Sequence, residues 1–224
     1  MRVCLFDIDG TLINTGGAGM AAIQQAFGQV FGIGDLDGVQ TVGRTDRGIA
    51  DDLFSARGVE NSTANWQTFQ AAYLEHLHEN LRQREGRVLA GVVELLEHLT
   101  SQRDVALGLL TGNTAEGARI KLEYYDLNQH FAFGGYGDDH PHRDEVARQA
   151  LRVARSHLNQ DITGQDVCVI GDTPHDVRCA RAIGARVVAV SSGFCSAEEL
   201  IEAGPDVLVK NLGERAVLDA ILLE

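Results

Sequence analysis

The segment VCLFDIDGTLINTGGAG, residues Val3 to Gly19, decides how the rest of the chain is interpreted. Its apolar start predicts a buried β-strand over Arg2 to Asp7. Two carboxylates, Asp7 and Asp9, and a run of glycines follow before a helical pattern begins. Two chemistries compete for such a segment. Residues 17–22 match G-x-G-x-x-A, which is typical of a nucleotide-binding loop, whereas the two carboxylates are typical of a phosphate-handling site.

The remainder of the sequence divides into two kinds of pattern. From Thr15 to about Arg84, apolar residues recur at helical spacing without a convincing strand. After Gly86, apolar runs alternate with helical patterns and predict strands over Val105–Leu110, Phe131–Phe133, Asp166–Ile170, Arg186–Val190 and Asp206–Val209. Such alternation indicates a parallel sheet covered on both faces. We therefore predict an α/β fold, in which residues 1–15 and 86–224 form a doubly wound parallel sheet and residues 16–85 form an inserted helical cap domain.

A stripe of large apolar residues recurs at helical spacing inside the predicted cap: Trp66, Phe69, Tyr73, Leu74, Leu77 and Leu81. This spacing predicts a core between helices rather than a ligand pocket. The polar break at residues 43–46 precedes another helix, with Thr45 as its predicted N-cap. Arg44 in this break is a candidate specificity residue, although capping and turn formation explain the stretch equally well.

Polar residues follow several of the predicted strands. Ligands of open α/β sheets bind beyond the carboxyl ends of the strands, so these positions are candidates for a common site. The four segments are Asp7–Thr11, Thr111–Asn113, the loop that ends at Arg143, and Gly171–Asp176. We expect them to bring carboxylates, hydroxyls, an amide and a guanidinium to one rim of the sheet.

These groups suit phosphoryl transfer assisted by a divalent cation. Magnesium is held by a few carboxylates and keeps waters and a phosphate oxygen, which fits Asp7, Asp9 and the turn at Asp172. Asp7 can then attack phosphorus to form an aspartyl-phosphate. Asp9 can protonate the leaving oxygen and later activate water. Three further side chains can donate hydrogen bonds to phosphate oxygens: Thr111, Asn113 and Arg143.

Taken together, these motifs resemble the signatures of the haloacid dehalogenase superfamily. Phe6–Leu12 resembles the first motif, D-x-D-G-T-L, and Leu110–Asn113 resembles the second. Gly171–Asp176 resembles the fourth, G-D-x-x-x-D. The insertion after the first motif resembles the C1-type cap of phosphoglycolate phosphatase-like members. The resemblance covers nearly the whole chain and implies a Rossmann-like core and a Mg²⁺-dependent phosphatase that acts on a small phosphorylated metabolite.

The resemblance also implies roles for individual residues. Asp7 would be the nucleophile and Asp9 the general acid and base. The metal ligands would be Asp7, the backbone carbonyl of Asp9, and Asp172, with Asp176 assisting directly or through water. The phosphate-binding residues would be Thr111, Gly112, Asn113 and Arg143.

Two positions depart from the family pattern. The third motif usually supplies a lysine, whereas the candidate here is Arg143, which keeps the charge but not the geometry of an ammonium. Lys121 is its rival, although it lies in a predicted helix well before the expected position. Asn14 stands where relatives often carry a carboxylate. His175, inside the fourth motif, is open to a structural role and to a role in tuning the site.

The charge and cysteine content exclude several classes of function. The net charge is −13 and no basic stripe is present, which disfavours nucleic acid and anionic membrane surfaces as partners. No apolar run approaches the roughly 18 residues of a membrane span. The four cysteines lack the C-x-x-C spacing of a redox or zinc site. We expect a cytoplasmic protein, and no feature specifies an oligomeric state.

The same sequence features also allow functions other than a phosphatase. A phosphomutase on the same fold would use the same motifs, whereas Asp9 argues against a dehalogenase or phosphonatase. A non-catalytic nucleotide-binding or interaction protein is disfavoured by the intact carboxylates. The dinucleotide interpretation itself needs its first glycine directly after the strand, but Gly17 lies ten positions after Asp7. The glycines at 16–19 instead predict a hinge into the cap.

Overall fold

The structure is a computed structural model that describes residues 1–36 and 38–222. Its β-strands are β1 (Arg2–Phe6), β2 (Ile13–Asn14), β3 (Arg87–Val88), β4 (Val105–Leu110), β5 (Phe133–Gly135), β6 (Val167–Gly171), β7 (Arg186–Val190) and β8 (Val207–Val209). Its α-helices are α1 (Ala18–Phe31), α2 (Asp46–Arg57), α3 (Thr63–Gln83), α4 (Val92–Thr100), α5 (Ala115–Tyr124), α6 (Arg143–Leu158), α7 (Pro174–Ala182), α8 (Ala197–Ala203) and α9 (Arg215–Leu222). None of the helices in these ranges is long and apolar enough to cross a bilayer.

The main sheet of the described chain has six parallel strands in the order β5-β4-β1-β6-β7-β8. Strand β1 is buried on both faces, because its side chains alternate between two separate cores. Cys4 and Phe6 pack with α4, α5 and α9, whereas Val3 and Leu5 pack with α6 and α7. The predicted α/β fold with a doubly wound parallel sheet is thereby confirmed.

Helices α1 to α3 form the cap region and have a hydrophobic core of their own. The aromatic stripe of α3 lies in this core, as predicted, and the rings of Phe27 and Phe69 are 5.9 Å apart in an edge-to-face arrangement. Thr45 caps α2, since its hydroxyl accepts a hydrogen bond of 3.0 Å from the Gly48 N–H. The domain boundaries at residues 15 and 86 remain a prediction.

A short antiparallel pair, β2 and β3, lies where the chain passes between the sheet and the cap. Ile13 pairs with Val88, and Asn14 pairs with Arg87. Strands of two residues are too short to produce a periodic pattern, so the sequence did not reveal them. Beside them Gly16 has a φ of +62°, and a Cβ there would collide with the Glu85 carbonyl. The segment that leads into the cap and the segment that leads back to the sheet therefore lie in close contact.

Four predicted strands differ from the structure at their ends, β1, β6 and β8 by one residue and β5 by two. Strand β5 begins at Phe133 rather than Phe131, because a 3₁₀ turn precedes it and the Phe131 N–H donates to the carbonyl of Asn128. Helix α7 begins at Pro174, within the segment that resembles the fourth motif. The side chains of Thr173 and Asp176 form a capping box, and proline is favoured in the first turn.

Candidate active site

The candidate site lies at the carboxyl ends of three adjacent strands, with β1 between β4 and β6. Asp7 directly follows β1, Thr111 follows β4 and Asp172 follows β6. All three are buried, with exposed fractions of 5%, 0% and 0%. The strand order therefore places side chains that are distant in sequence on one rim, as in other open α/β sheets.

Three carboxylates, those of Asp7, Asp172 and Asp176, each offer an oxygen that lies within 4.8 Å of the other two. Burial raises the pKa of Asp7 to about 6; Arg143 opposes this rise, and the neighbouring carboxylates add to it. Burial, and then the charges of Asp176 and Asp7, raise the pKa of Asp172 well above its usual range. The cluster contains more negative charge than the one guanidinium beside it neutralises.

The cluster fits a hard divalent cation. Its ligand atoms are carboxylate oxygens, the donors that magnesium prefers. The backbone encloses Asp172 tightly, since a Cβ on Gly10 or on Gly193 would collide with its carboxylate. A bound cation would relieve the repulsion between the buried carboxylates, which is the physical reason for placing a metal here.

Arg143 supplies the cation next to this cluster. It is the first residue of α6 and is 4% exposed. Its guanidinium donates to Asp7 over 3.4 Å, to the Leu110 carbonyl over 3.4 Å, and to Asp176 in a short hydrogen bond. Its buried Nε has no hydrogen-bond partner in the described chain. Arg143 is therefore positioned on the side of the predicted nucleophile.

Lys121 supplies a second cation on the other side of the site. Its ammonium lies 2.6 Å from the Asp9 carboxylate and 2.6 Å from the amide oxygen of Asn113. The Asn113 amide in turn donates to Asp9 over 2.9 Å and to the Thr111 hydroxyl over 2.8 Å. Side chains of a helix tilt toward its N-terminus, so a lysine in α5 extends back to the strand ends. Sequence reasoning treated Lys121 and Arg143 as rivals, whereas the structure brings both into the site.

Asp176 and His175 belong to the first turn of α7. One oxygen of Asp176 accepts hydrogen bonds from the Thr173 N–H (3.0 Å) and hydroxyl (2.8 Å), and the other accepts from Arg143. Asp176 thus caps the N-terminus of α7 and also binds the guanidinium of Arg143. The His175 ring packs against Gly43 of the cap. Burial lowers the pKa of His175, and the nearby Arg178 and Arg143 lower it further, which favours a neutral ring in a structural contact.

The loop before α2 lies directly on the core. The Asp46 N–H donates to the Gly112 carbonyl over 2.7 Å, and the Asp46 carboxylate accepts from the Thr114 N–H over 2.8 Å. A Cβ on Gly112 would collide with the carbonyl of Arg44, so this glycine permits close approach of the cap. The guanidinium of Arg44, the predicted specificity residue, lies 2.8 Å from the Asp52 carboxylate.

A cavity of about 160 Å³ lies between the cap and the carboxyl ends of the strands. Lys121 lines it together with six predicted residues: Asp7, Asp9, Arg44, Gly112, Asn113 and Arg143. Several lining residues were not identified from the sequence: Met20, Ile23, Val42, Asp46, Ile49, Tyr73 and Phe194. The helical spacing of Tyr73 indicates only a place in the aromatic core, and an acid in the first turn of a helix, such as Asp46, is common. Neither position carried a local signal for a ligand.

Comparisons with known proteins identify a hydrolase family and several similar phosphatases. The sequence profile of a family described as haloacid dehalogenase-like hydrolase matches residues 4–190. A phosphoglycolate phosphatase of Chromobacterium violaceum is 27% identical over 96% of this chain and 94% of its own length. An N-acetylmuramic acid 6-phosphate phosphatase of Pseudomonas putida is 25% identical over 99% and 98%, respectively. Among solved structures, a hydrolase from Pseudomonas syringae has a TM-score of 0.72 and 21% identity, with 95% of each chain covered.

Proposed function

The chain belongs to the haloacid dehalogenase-like hydrolases and is a phosphatase of that family, and from this premise we propose that it uses Mg²⁺ to hydrolyse a small phosphorylated metabolite through an aspartyl-phosphate on Asp7. One observation carries the proposal. The buried cluster of Asp7, Asp172 and Asp176 lies beside Arg143, while a separate carboxylate, Asp9, is held by Lys121. Two carboxylates in different surroundings are suited to two different roles.

The metal would be held by the side chains of Asp7 and Asp172 and by the backbone carbonyl of Asp9. Both oxygens of Asp176 already accept hydrogen bonds from the protein, so Asp176 would contribute through water. When bound, magnesium supplies positive charge that keeps Asp7 ionised and offsets charge on the phosphoryl oxygens.

In the first step, a carboxylate oxygen of Asp7 attacks phosphorus, and the bond from phosphorus to the ester oxygen breaks. Asp9 gives its proton to the leaving alcohol. Thr111, Asn113 and Arg143 would donate hydrogen bonds to the phosphoryl oxygens. As Lys121 and Asn113 turn their N–H groups toward the phosphoryl group, Asp9 is released to hold the proton that it must deliver.

In the second step, Asp9 takes a proton from water, and the resulting hydroxide attacks phosphorus. Inorganic phosphate leaves and the Asp7 carboxylate is restored. The contact of the cap loop with Gly112 limits entry of bulk water during both steps, which strengthens the electrostatic interactions inside the site.

The test is release of inorganic phosphate from p-nitrophenyl phosphate, with Mg²⁺ and with a chelator. We expect activity with Mg²⁺ only, and its loss in Asp7→Asn. Asp161→Asn is the matched control, because Asp161 is an exposed carboxylate that precedes the amino end of β6 and lies outside the cavity lining. An Asp7→Asn enzyme with full activity contradicts the proposal. With sugar phosphates, an isomerised ester in place of free phosphate identifies a phosphomutase instead.

We also propose a cytoplasmic location. The four cysteines are free thiols, and Cys4, Cys168 and Cys179 are buried within the protein. Free thiols are typical of a reducing compartment.

A further inference from the structure

The charged residues that line the cavity are paired, with one exception. Arg143 pairs with Asp7, and Lys121 pairs with Asp9. Arg44 pairs with Asp52 outside the lining. Asp46, on the cap, makes no ion pair within the described residues. The cap side of the cavity therefore carries negative charge that no cation directly contacts.

The carboxylate of Asp46 has one oxygen free for a ligand. Oδ2 accepts the hydrogen bond from the Thr114 N–H, whereas Oδ1 has no hydrogen-bond partner in residues 1–36 and 38–222. The charged groups around it are Lys121, Asp9 and Asp138. Burial raises the pKa of Asp46 to about 6 and Lys121 opposes this rise, so the carboxylate is ionised at neutral pH.

Tyr73 offers a second group on the same side. This residue of α3 is 2% exposed and lines the cavity, and its hydroxyl makes no hydrogen bond to any described residue. Burial raises the pKa of Tyr73 well above its usual range, and Asp46 and Asp9 raise it further, so the hydroxyl keeps its proton. A hydroxyl of a cavity-lining residue that has no protein partner is a donor available to a ligand.

The rim of the cavity is apolar. Met20, Val42 and Phe194 line it and are exposed by 39%, 46% and 62% of their surfaces. Exposed side chains of this size that surround a cavity indicate contact with a ligand that carries C–H groups. The cavity therefore offers a ligand an apolar rim and, on the cap side, the polar groups of Asp46 and Tyr73.

Resting on the proposed phosphatase activity, we propose that Asp46 and Tyr73 bind a hydroxyl group of the leaving alcohol, so that the substrate is a phosphate ester of a polyol rather than of a hydroxy acid. A hydroxyl donates to the free oxygen of Asp46 and accepts from Tyr73, which satisfies both. A carboxylate at the same place faces Asp46 with like charge. The nearest cation, Lys121, contacts Asp9 and Asn113 and, in the proposed reaction, turns to the phosphoryl group, so it does not neutralise a carboxylate beside Asp46. The site would therefore select the polyol ester in two ways: by hydrogen bonds to its hydroxyl group and by repulsion of a carboxylate in the same place.

The test compares two esters of equal chain length, 2-hydroxyethyl phosphate and 2-phosphoglycolate, which differ in a terminal hydroxymethyl or carboxylate. We expect kcat/KM for the first to exceed that for the second by at least about tenfold. Asp46→Asn removes the repulsion and should reduce this preference by about tenfold. Tyr73→Phe should lower kcat/KM for 2-hydroxyethyl phosphate alone.

Matched controls are Asp161→Asn and Tyr124→Phe, both at exposed positions outside the cavity lining. Circular dichroism verifies that each variant is folded, and the wild-type preference together with Tyr73→Phe tests the proposal even when Asp46→Asn does not fold. An equal or higher kcat/KM on 2-phosphoglycolate overturns the inference. So does an unchanged preference in folded Asp46→Asn.

The outcomes also separate this inference from the proposed function. Hydrolysis of both esters without preference contradicts the inference and leaves the phosphatase intact. Where neither ester nor p-nitrophenyl phosphate is hydrolysed, the phosphatase proposal fails. Calorimetry of the two esters on the wild-type chain with Mg²⁺ then decides the inference: tighter binding of 2-hydroxyethyl phosphate upholds it, and equal, reversed or undetectable binding overturns it.

Discussion

The ammonium of Lys121 lies 2.6 Å from the carboxylate of Asp9, although the two residues are 112 positions apart. Arg143 makes the corresponding contact with Asp7 over 136 positions. The two cations are therefore divided between the two predicted catalytic carboxylates. The structure thus places a lysine in the site together with Arg143, the predicted third-motif residue.

Lys121→Met should lower kcat/KM for p-nitrophenyl phosphate by roughly 100-fold, the effect of removing one charged donor from a phosphoryl-transfer site. Lys210→Met is the matched control, because Lys210 is exposed and lies outside the cavity lining. Steady-state kinetics at a saturating Mg²⁺ concentration measures the change, and wild-type kcat/KM in Lys121→Met contradicts the prediction.

Arg143→Met should destabilise the metal-free protein by about 3–5 kcal/mol, because it leaves buried carboxylates without their cation. Saturating Mg²⁺ should recover part of this loss by binding the same carboxylates, about 2.7 kcal/mol at a hundredfold excess over Kd. Thermal unfolding with and without Mg²⁺ measures both effects. Arg152→Met, at an exposed position of α6, is the control. An Arg143→Met protein that unfolds at the wild-type temperature excludes this account.

Asp46→Asn should stabilise the protein at neutral pH and have little effect below pH 4. Burial raises the pKa of Asp46 to about 6 in the folded state, so the folded protein binds this proton more tightly than the unfolded chain. Ionisation therefore costs folding free energy, and the cost grows as the pH rises from about 4 to 6. Asparagine keeps the acceptor for the Thr114 N–H without the charge.

The stabilisation above pH 6 is expected to be at most about 3 kcal/mol, at roughly 1.4 kcal/mol for each pKa unit. Urea unfolding of wild type and Asp46→Asn at pH 3.5, 5 and 7.5 measures the difference. If Asp46→Asn stabilises the protein equally at all three pH values, the effect comes from packing rather than from ionisation.

Gly112→Ala should reduce activity through the cap. The added methyl group would collide with the carbonyl of Arg44, and the hydrogen bond from the Asp46 N–H to Gly112 lies at the same place. We expect kcat/KM to fall by at least about tenfold and the cap to become more sensitive to limited proteolysis. Gly28→Ala is the control, since this position in α1 has room for a methyl group and alanine favours a helix. Unchanged kinetics in Gly112→Ala would show that the cap can close without this contact.

Much of the fold was predictable because it depends on local patterns. The alternation of apolar runs and helical spacing predicted the parallel sheet, and the capping residue Thr45 predicted the start of α2. The short ribbon of β2 and β3 was not predictable, since two-residue strands have no period. Strand β5 was displaced by two residues because a 3₁₀ turn, which the apolar pattern does not reveal, precedes it.

By itself, the sequence determined which chemical groups follow which strands, because strand ends and turn motifs are set by neighbouring residues. Only the tertiary structure decided how those groups are paired. The order of the strands, with β1 between β4 and β6, brings Asp7 beside Asp172. The packing of the cap on the core brings Asp46 to Thr114, 68 positions away. Such contacts depend on how whole elements pack together, and no local periodicity encodes them.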